Sequence, residues 1–153
     1  MTWLETRIPP PLVMLACAMA GLAASAWGSP WTWPMAFPVL VPAAVAATGV
    51  ALNLLPKLAF RRAGTTVNPL RPQAASALVT HGVYRHTRNP MYLGQALVLL
   101  GAMLYLQDLR ALLAVPLFVV YITRLQILPE ERMLSARFPD AYAAFCRRVR
   151  RWL

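Results

Sequence analysis

The chain has 153 residues, 59% of them hydrophobic and only 13% charged, whereas a soluble domain carries about 25% charged residues; an ordinary water-soluble globule is excluded, and the length allows one domain. The net charge is +10, but no charged residue occurs between Arg7 and Lys57, and the bases concentrate in 57–88 and 124–151. Clustered Arg beside long apolar runs is the pattern of a membrane protein and argues against nucleic acid as a partner.

The first predicted span covers about residues 12–27. Pro9-Pro10-Pro11 ahead of it presets a helix start. Ala24-Ser25-Ala26 imitates a signal-peptidase site, but Glu5 beside Arg7 removes the positive lead that such a signal needs, so the helix is read as retained. Gly28-Ser29-Pro30 breaks the pattern, and Trp27, Trp31 and Trp33 around the break predict an interfacial aromatic belt. A second span runs over about 35–55, with Pro38 and Pro42 expected to kink it.

Residues 57–88 are a polar, basic loop without an acid. The third span, 89–107, is uncharged and about 28 Å long as a helix, close to the thickness of a bilayer core. Asp108 and Arg110 make a short turn into the fourth span, 111–128, which contains Arg124 near its end. Four spans put both termini and the 57–88 loop on one side, with fourteen of the fifteen Lys and Arg, and leave Arg110 opposite. The positive-inside rule makes that side cytoplasmic.

The tail, 130–152, is not a fifth span. Leu134, Phe138, Tyr142, Phe145, Val149 and Trp152 recur at steps of three and four and form one apolar stripe, surrounded by Arg137, Arg147, Arg148, Arg150 and Arg151. Such a helix lies on an anionic membrane surface or over the cytoplasmic mouth of the bundle. Pro129 and Pro139 are each expected near the first position of a helical segment. The expected fold is therefore a single all-α integral-membrane domain of four transmembrane helices plus a C-terminal amphipathic segment over the cytoplasmic face. Cys17 and Cys146 read as free thiols, and His81 and His86 lack metal-ligand partners at the usual spacing, so no metal site is expected.

Two polar clusters remain. One is His81-Gly82-Val83-Tyr84 with Arg88-Asn89-Pro90-Met91-Tyr92-Leu93-Gly94; the other is Arg124, Gln126 and Glu130-Glu131. The hairpin of the third and fourth spans brings them to one membrane depth. Asn89 is a good N-cap and Pro90 a good first helical residue, so free N–H groups there favour a carboxylate. Glu130 and Glu131 suit an ammonium group or ribose hydroxyls, and Tyr84 and Tyr92 offer flat surfaces to a purine. S-adenosylmethionine has all three parts. Each residue also has a structural reading: Asn89-Pro90 as a plain helix start, the two Glu as first-turn acids complementing a helix dipole, Arg124 as a snorkelling side chain, and the tyrosines as interface anchors.

Leu78-Val79-Thr80-His81-Gly82-Val83-Tyr84, followed by Arg88 to Gly94, resembles the signature of isoprenylcysteine carboxyl methyltransferases and their bacterial relatives. So does Glu130-Glu131-Arg132-Met133-Leu134 continuing to Phe138, Tyr142 and Val149. The resemblance covers about residues 65–150, and phospholipid N-methyltransferases share related C-terminal architecture. It implies a membrane methyltransferase of the bacterial inner membrane, with S-adenosylmethionine held at Leu78, Val79, His81, Tyr84, Arg88, Asn89, Pro90, Met91, Tyr92, Glu130 and Glu131, under cover of the C-terminal segment. A lipophilic acceptor would enter from the bilayer. This chain has Asn89 where the family usually has His. It has Gln126 where the eukaryotic enzymes carry an Arg near the substrate carboxylate, Arg124 being the nearest base and the expected catalytic residue. The acceptor is expected to be a carboxylate or thiol, with a phospholipid amine as the alternative. A small four-helix transporter would need an ionisable coupling residue inside the membrane, which the first two spans lack; a non-catalytic scaffold that keeps the pocket is the other non-enzymatic reading.

Overall fold

The computed structural model describes residues 5–27, 32, 36–62 and 78–153, with residues 57–62 described by their backbone alone. Trp31, Trp33 and residues 63–77 of the predicted basic loop lie outside the described residues. Five helices follow in chain order: α1 (Pro10–Ala26), α2 (Leu40–Arg62), α3 (Pro90–Tyr105), α4 (Ala111–Arg137) and α5 (Pro139–Arg148). A short 3-10 turn, Gly82–Arg85, precedes α3.

The α4 rod is long and apolar enough to cross a bilayer, whereas α1, α3 and residues Leu40–Pro56 of α2 are shorter apolar helices. The expected kink at Pro38 and Pro42 is absent among the described residues, because α2 begins only at Leu40 and Pro42 falls in its first turn, where a missing N–H costs nothing. Pro56 is the residue inside the helix.

The boundary expected between the fourth span and the tail is also different. Pro129 does stand near the first position of an α-helical segment, Leu128–Arg137, as expected, but that segment is continuous with the fourth span through a π turn at Thr123–Ile127. Proline has no N–H and its ring crowds the carbonyl four residues earlier, here that of Leu125. The π turn relaxes this crowding, and the backbone N–H of Thr6 donates to the Leu125 carbonyl at 3.0 Å. Gln126 Nε2 donates to the Ile8 carbonyl at 2.8 Å, and Arg132 pairs with Glu5 at 2.7 Å. The segment ahead of α1 is thus stitched to the π turn.

Residues Val13, Cys17 and Gly21 of α1 face inward, while Leu12, Leu15, Met19 and Leu22 face outward. On α4, Phe118 and Ile122 are fully buried and Leu113, Leu117 and Val120 are exposed. Helices apolar on both faces belong in a membrane-type environment. The core between α1, α3 and α4 is built from Leu99, Met103, Ala114, Phe118, Ile122 and Ile127. At the end away from the basic residues, Asp108 is buried, accepts from Arg110 Nη2 at 2.7 Å and from the Arg110 backbone at 2.9 Å. Arg110 in turn reaches the carbonyls of Trp27 and Ser25 at the end of α1. A cation there satisfies helix C-terminal carbonyls, and the hydrogen bonds from Arg110 hold the Asp108 carboxyl down to about 2.

The α2–α3 contact is made by small residues whose backbones touch, as in helix pairs within membranes. A Cβ at Gly94 would lie 2.6 Å from the Gly49 carbonyl oxygen and 2.7 Å from Asn53 Nδ2. Because the first of these is backbone, it cannot swing aside. Gly94→Ala is expected to destabilise by about 1–3 kcal/mol, read as a lower melting temperature in detergent; an unchanged melt would mean that α2 and α3 do not pack this way.

Candidate active site

The tail stripe expected from the sequence forms. Tyr142, Phe145 and Val149 are buried against Val79 and Tyr84 of the loop, with Leu78, Leu134, Phe138 and Cys146 packed around them. Pro139 opens α5 as expected. Trp152 departs from the stripe and packs against the main core, its indole N–H donating to Thr123 Oγ1 at 3.2 Å.

The hairpin of α3 and α4 brings Tyr92 of the first polar cluster to Glu130 of the second. Tyr92, buried on the first turn of α3, donates its hydroxyl proton to Glu130 Oε1 at 2.5 Å. Glu130 stands just past Leu128, where the apolar section of α4 ends. Its partial burial pushes the carboxyl up to about 7; the Tyr92 hydroxyl offsets part of that rise and the neighbouring Glu131 charge adds to it. Tyr84 is buried beside them, and burial together with the Glu130 charge raises its phenol above the ordinary range.

Arg88 and Glu131 form the second layer of the cluster. Arg88 Nη2 lies 3.3 Å from Glu131 Oε1, its Nη1 contacts Cys146 Sγ and Tyr142 OH, and its buried Nε has no partner among the described residues. Arg151 grips the same carboxylate with two hydrogen bonds, Nε at 3.0 Å and Nη2 at 2.7 Å. The Tyr142 phenol is raised by burial and then by the Glu131 charge.

Asn89 stands at the N-cap of α3, with Pro90 first in the helix, but its side chain does not cap. The Asn89 amide donates instead to the Arg151 carbonyl at 3.0 Å. Buried Thr87 accepts from the Asn89 backbone N–H at 3.1 Å and donates to the same carbonyl at 3.3 Å, and Arg88 N–H donates to the Arg150 carbonyl at 3.0 Å. The C-terminal residues therefore form a strap across the start of α3, and the expected capping role of Asn89 is replaced by a tertiary one. The first-turn N–H groups of α3 receive no side-chain cap, so the positive end of its dipole stays available.

Of the expected site residues, Tyr84, Tyr92 and Glu130 converge, Arg88, Asn89 and Glu131 are tied to each other through Arg151, and Leu78, Val79, Pro90 and Met91 lie alongside. His81 is exposed on the loop, and Arg124 is exposed at the π turn rather than among the converging groups. Sequence reasoning missed Thr87 and Gln95 and gave Arg151 no role beyond its charge. Arg151 carried no distinguishing signal within a run of bases. Gln95, buried one turn inward from Tyr92, is a polar residue in an apolar span, which is a signal in itself; among the described residues its Oε1 and that of buried Gln126 have no hydrogen-bond donor. A cavity of about 400 Å³ lies between the loop and α5, lined by Thr80, His81, Arg85, Phe145, Arg148 and Val149.

The sequence profile of the phospholipid methyltransferase family matches residues 37–141, more than half of the chain. An uncharacterized protein of Haemophilus influenzae is 41% identical over 63 residues, which make up 41% of this chain and 100% of that protein. No solved structure matches.

Proposed function

The chain belongs to the phospholipid methyltransferase family, whose membership implies a membrane-associated methyltransferase using S-adenosylmethionine, and from that premise we propose an integral-membrane enzyme that methylates a lipophilic or small acceptor at the cytoplasmic face. In this reading the three shorter apolar helices and the apolar section of α4, 111–128, are the four spans. Both termini and the basic tail then lie on the cytoplasmic side of a bacterial inner membrane.

The observation that carries the reading is the convergence of Glu130, Tyr92 and Tyr84 at the uncapped start of α3. This donor set fits the cofactor. The α3 N–H groups suit its carboxylate, Glu130 suits its ammonium group or ribose hydroxyls, and the Tyr84 and Tyr92 rings suit its purine. Leu78, Val79, Pro90 and Met91 would exclude water, and Arg88, Asn89 and Glu131 would hold the loop in register. When bound, S-adenosylmethionine supplies a methyl group already activated by the sulfonium charge, so the protein's task is chiefly to align donor and acceptor.

Arg124 is assigned to an anionic acceptor, a carboxylate or thiolate, reached from the bilayer side. Arg124→Ala is expected to lower turnover by about tenfold while leaving cofactor affinity unchanged; equal loss of both, or of neither, contradicts the assignment. A second reading, a phospholipid amine as acceptor, draws support from the family and from the donor-less Gln126 Oε1. The amide of Gln126 is oriented by its bond to Ile8, so the free oxygen would accept an N–H.

Calorimetry of S-adenosylmethionine binding to detergent-purified and lipid-reconstituted protein, with Glu130→Ala alongside, tests the whole reading. Micromolar binding that the variant loses is expected. Folded wild-type protein that does not bind the cofactor would remove the enzyme and leave a membrane scaffold.

A further inference from the structure

We propose that the cavity between the 78–85 loop and α5 is an accessory site for the phosphate of an anionic lipid headgroup, separate from the Tyr92–Glu130 site. Its volume, about 400 Å³, falls within the ~300–1,000 Å³ of ligand sites. Two arginines, Arg85 and Arg148, line it together with His81 and Thr80, and among the described residues no Asp or Glu does. Planar guanidinium forks match phosphate oxygens, whereas a site with two arginines and no acid lacks the counter-charge an ammonium or sulfonium group would want.

Arg88 and Arg151 are held by Glu131. Among the described residues Arg85 and Arg148 have no carboxylate partner, and Arg148 uses only its Nε, on the Ala144 carbonyl at 3.3 Å. The remaining wall is apolar. Phe145 and Val149 line the cavity and also pack into the buried layer with Val79 and Tyr84, so the space offers a greasy side for a glycerol backbone beside a cationic side for its phosphate. The cavity opens next to the last turn of α5, where Arg147 and Arg148 sit, on a basic amphipathic helix of the kind that lies at an anionic lipid surface.

The test uses the full chain in a nonionic detergent, titrated with phosphatidylglycerol, phosphatidylcholine or sodium phosphate, and reads retained lipid by native mass spectrometry and the melting temperature. Phosphatidylglycerol is expected to bind about tenfold more tightly than phosphatidylcholine, and R85Q/R148Q is expected to lose that preference. The same charge removed away from the cavity, R132Q/R137Q, is expected to keep it. Cofactor binding, measured in parallel, stays unchanged in both variants, so failure here is distinguishable from failure of the methyltransferase reading. Equal loss in both variants would reduce the effect to net charge and overturn the site. Displacement of phosphatidylglycerol by S-adenosylmethionine would overturn its separateness, and saturation by inorganic phosphate alone would overturn the lipid as its source.

Discussion

Glu130→Gln is expected to weaken S-adenosylmethionine binding by about 10- to 100-fold at pH 8, the worth of a charge-assisted hydrogen bond, and at the same pH to make the protein more stable. The opposite signs follow from one fact. Burial and the Glu131 charge lift the Glu130 carboxyl from 4.5 to about 7. A carboxyl whose value is raised in the folded state contributes stability that is fully present below about 4.5 and is lost as pH rises through about 7. Above that range the wild type holds a charge its surroundings disfavour, at a cost on the order of 3 kcal/mol, and the neutral amide removes it.

The charge is what a cationic ligand group would recognise. Wild-type affinity is therefore expected to fall by about tenfold between pH 8 and pH 6, while the variant shows no such slope. Calorimetry at pH 6 and 8 and melting curves at pH 5 and 8 give the four numbers required. A variant that binds as the wild type does would remove Glu130 from the cofactor site. A variant that melts with the wild type at both pH values would show that Glu130 is not buried against its charge.

Removing Arg151–Leu153 is expected to have an effect of comparable size, a fall of about 100-fold in cofactor affinity accompanied by a lower melting temperature. Those residues supply the carbonyl that receives Asn89 Nδ2 and Thr87 Oγ1, the guanidinium on Glu131 and the indole on Thr123. Each neutral hydrogen bond contributes about 1 kcal/mol and each charged one about 1.5–3 kcal/mol, the Arg151 pair counting toward the lower end because its side chain is 36% exposed. Arg151→Gln keeps the backbone contacts and loses only the pair, so a loss of about tenfold is expected of it. If the point variant costs as much as the truncation, the guanidinium alone matters and the strap does not. If the truncated chain binds normally, the start of α3 is held in place without help from the tail.

Features that depend on near neighbours and on composition are legible along the chain. Uncharged runs marked the apolar helices, the three- and four-residue recurrence from Leu134 to Val149 marked the face that α5 buries, and Pro90 and Pro139 marked where α3 and α5 begin. The hairpin between two adjacent apolar runs was enough to place Tyr92 near Glu130, because a short turn forces antiparallel helices into a known depth relation. Only the tertiary structure decided the features made by contacts between distant segments. Pro129 marks the α-helical segment that begins at Leu128, but nothing local shows that the Thr6 N–H reaches the Leu125 carbonyl. Asn89 looks like an N-cap until the Arg151 carbonyl, 62 residues away, takes its amide. Arg85 and Arg148 are indistinguishable from the other bases until loop and tail enclose a cavity between them. A local pattern records which face of a helix is apolar, since that repeats with the helix period; it holds no record of which distant donor meets a given carbonyl, because that is set by the packing of whole elements.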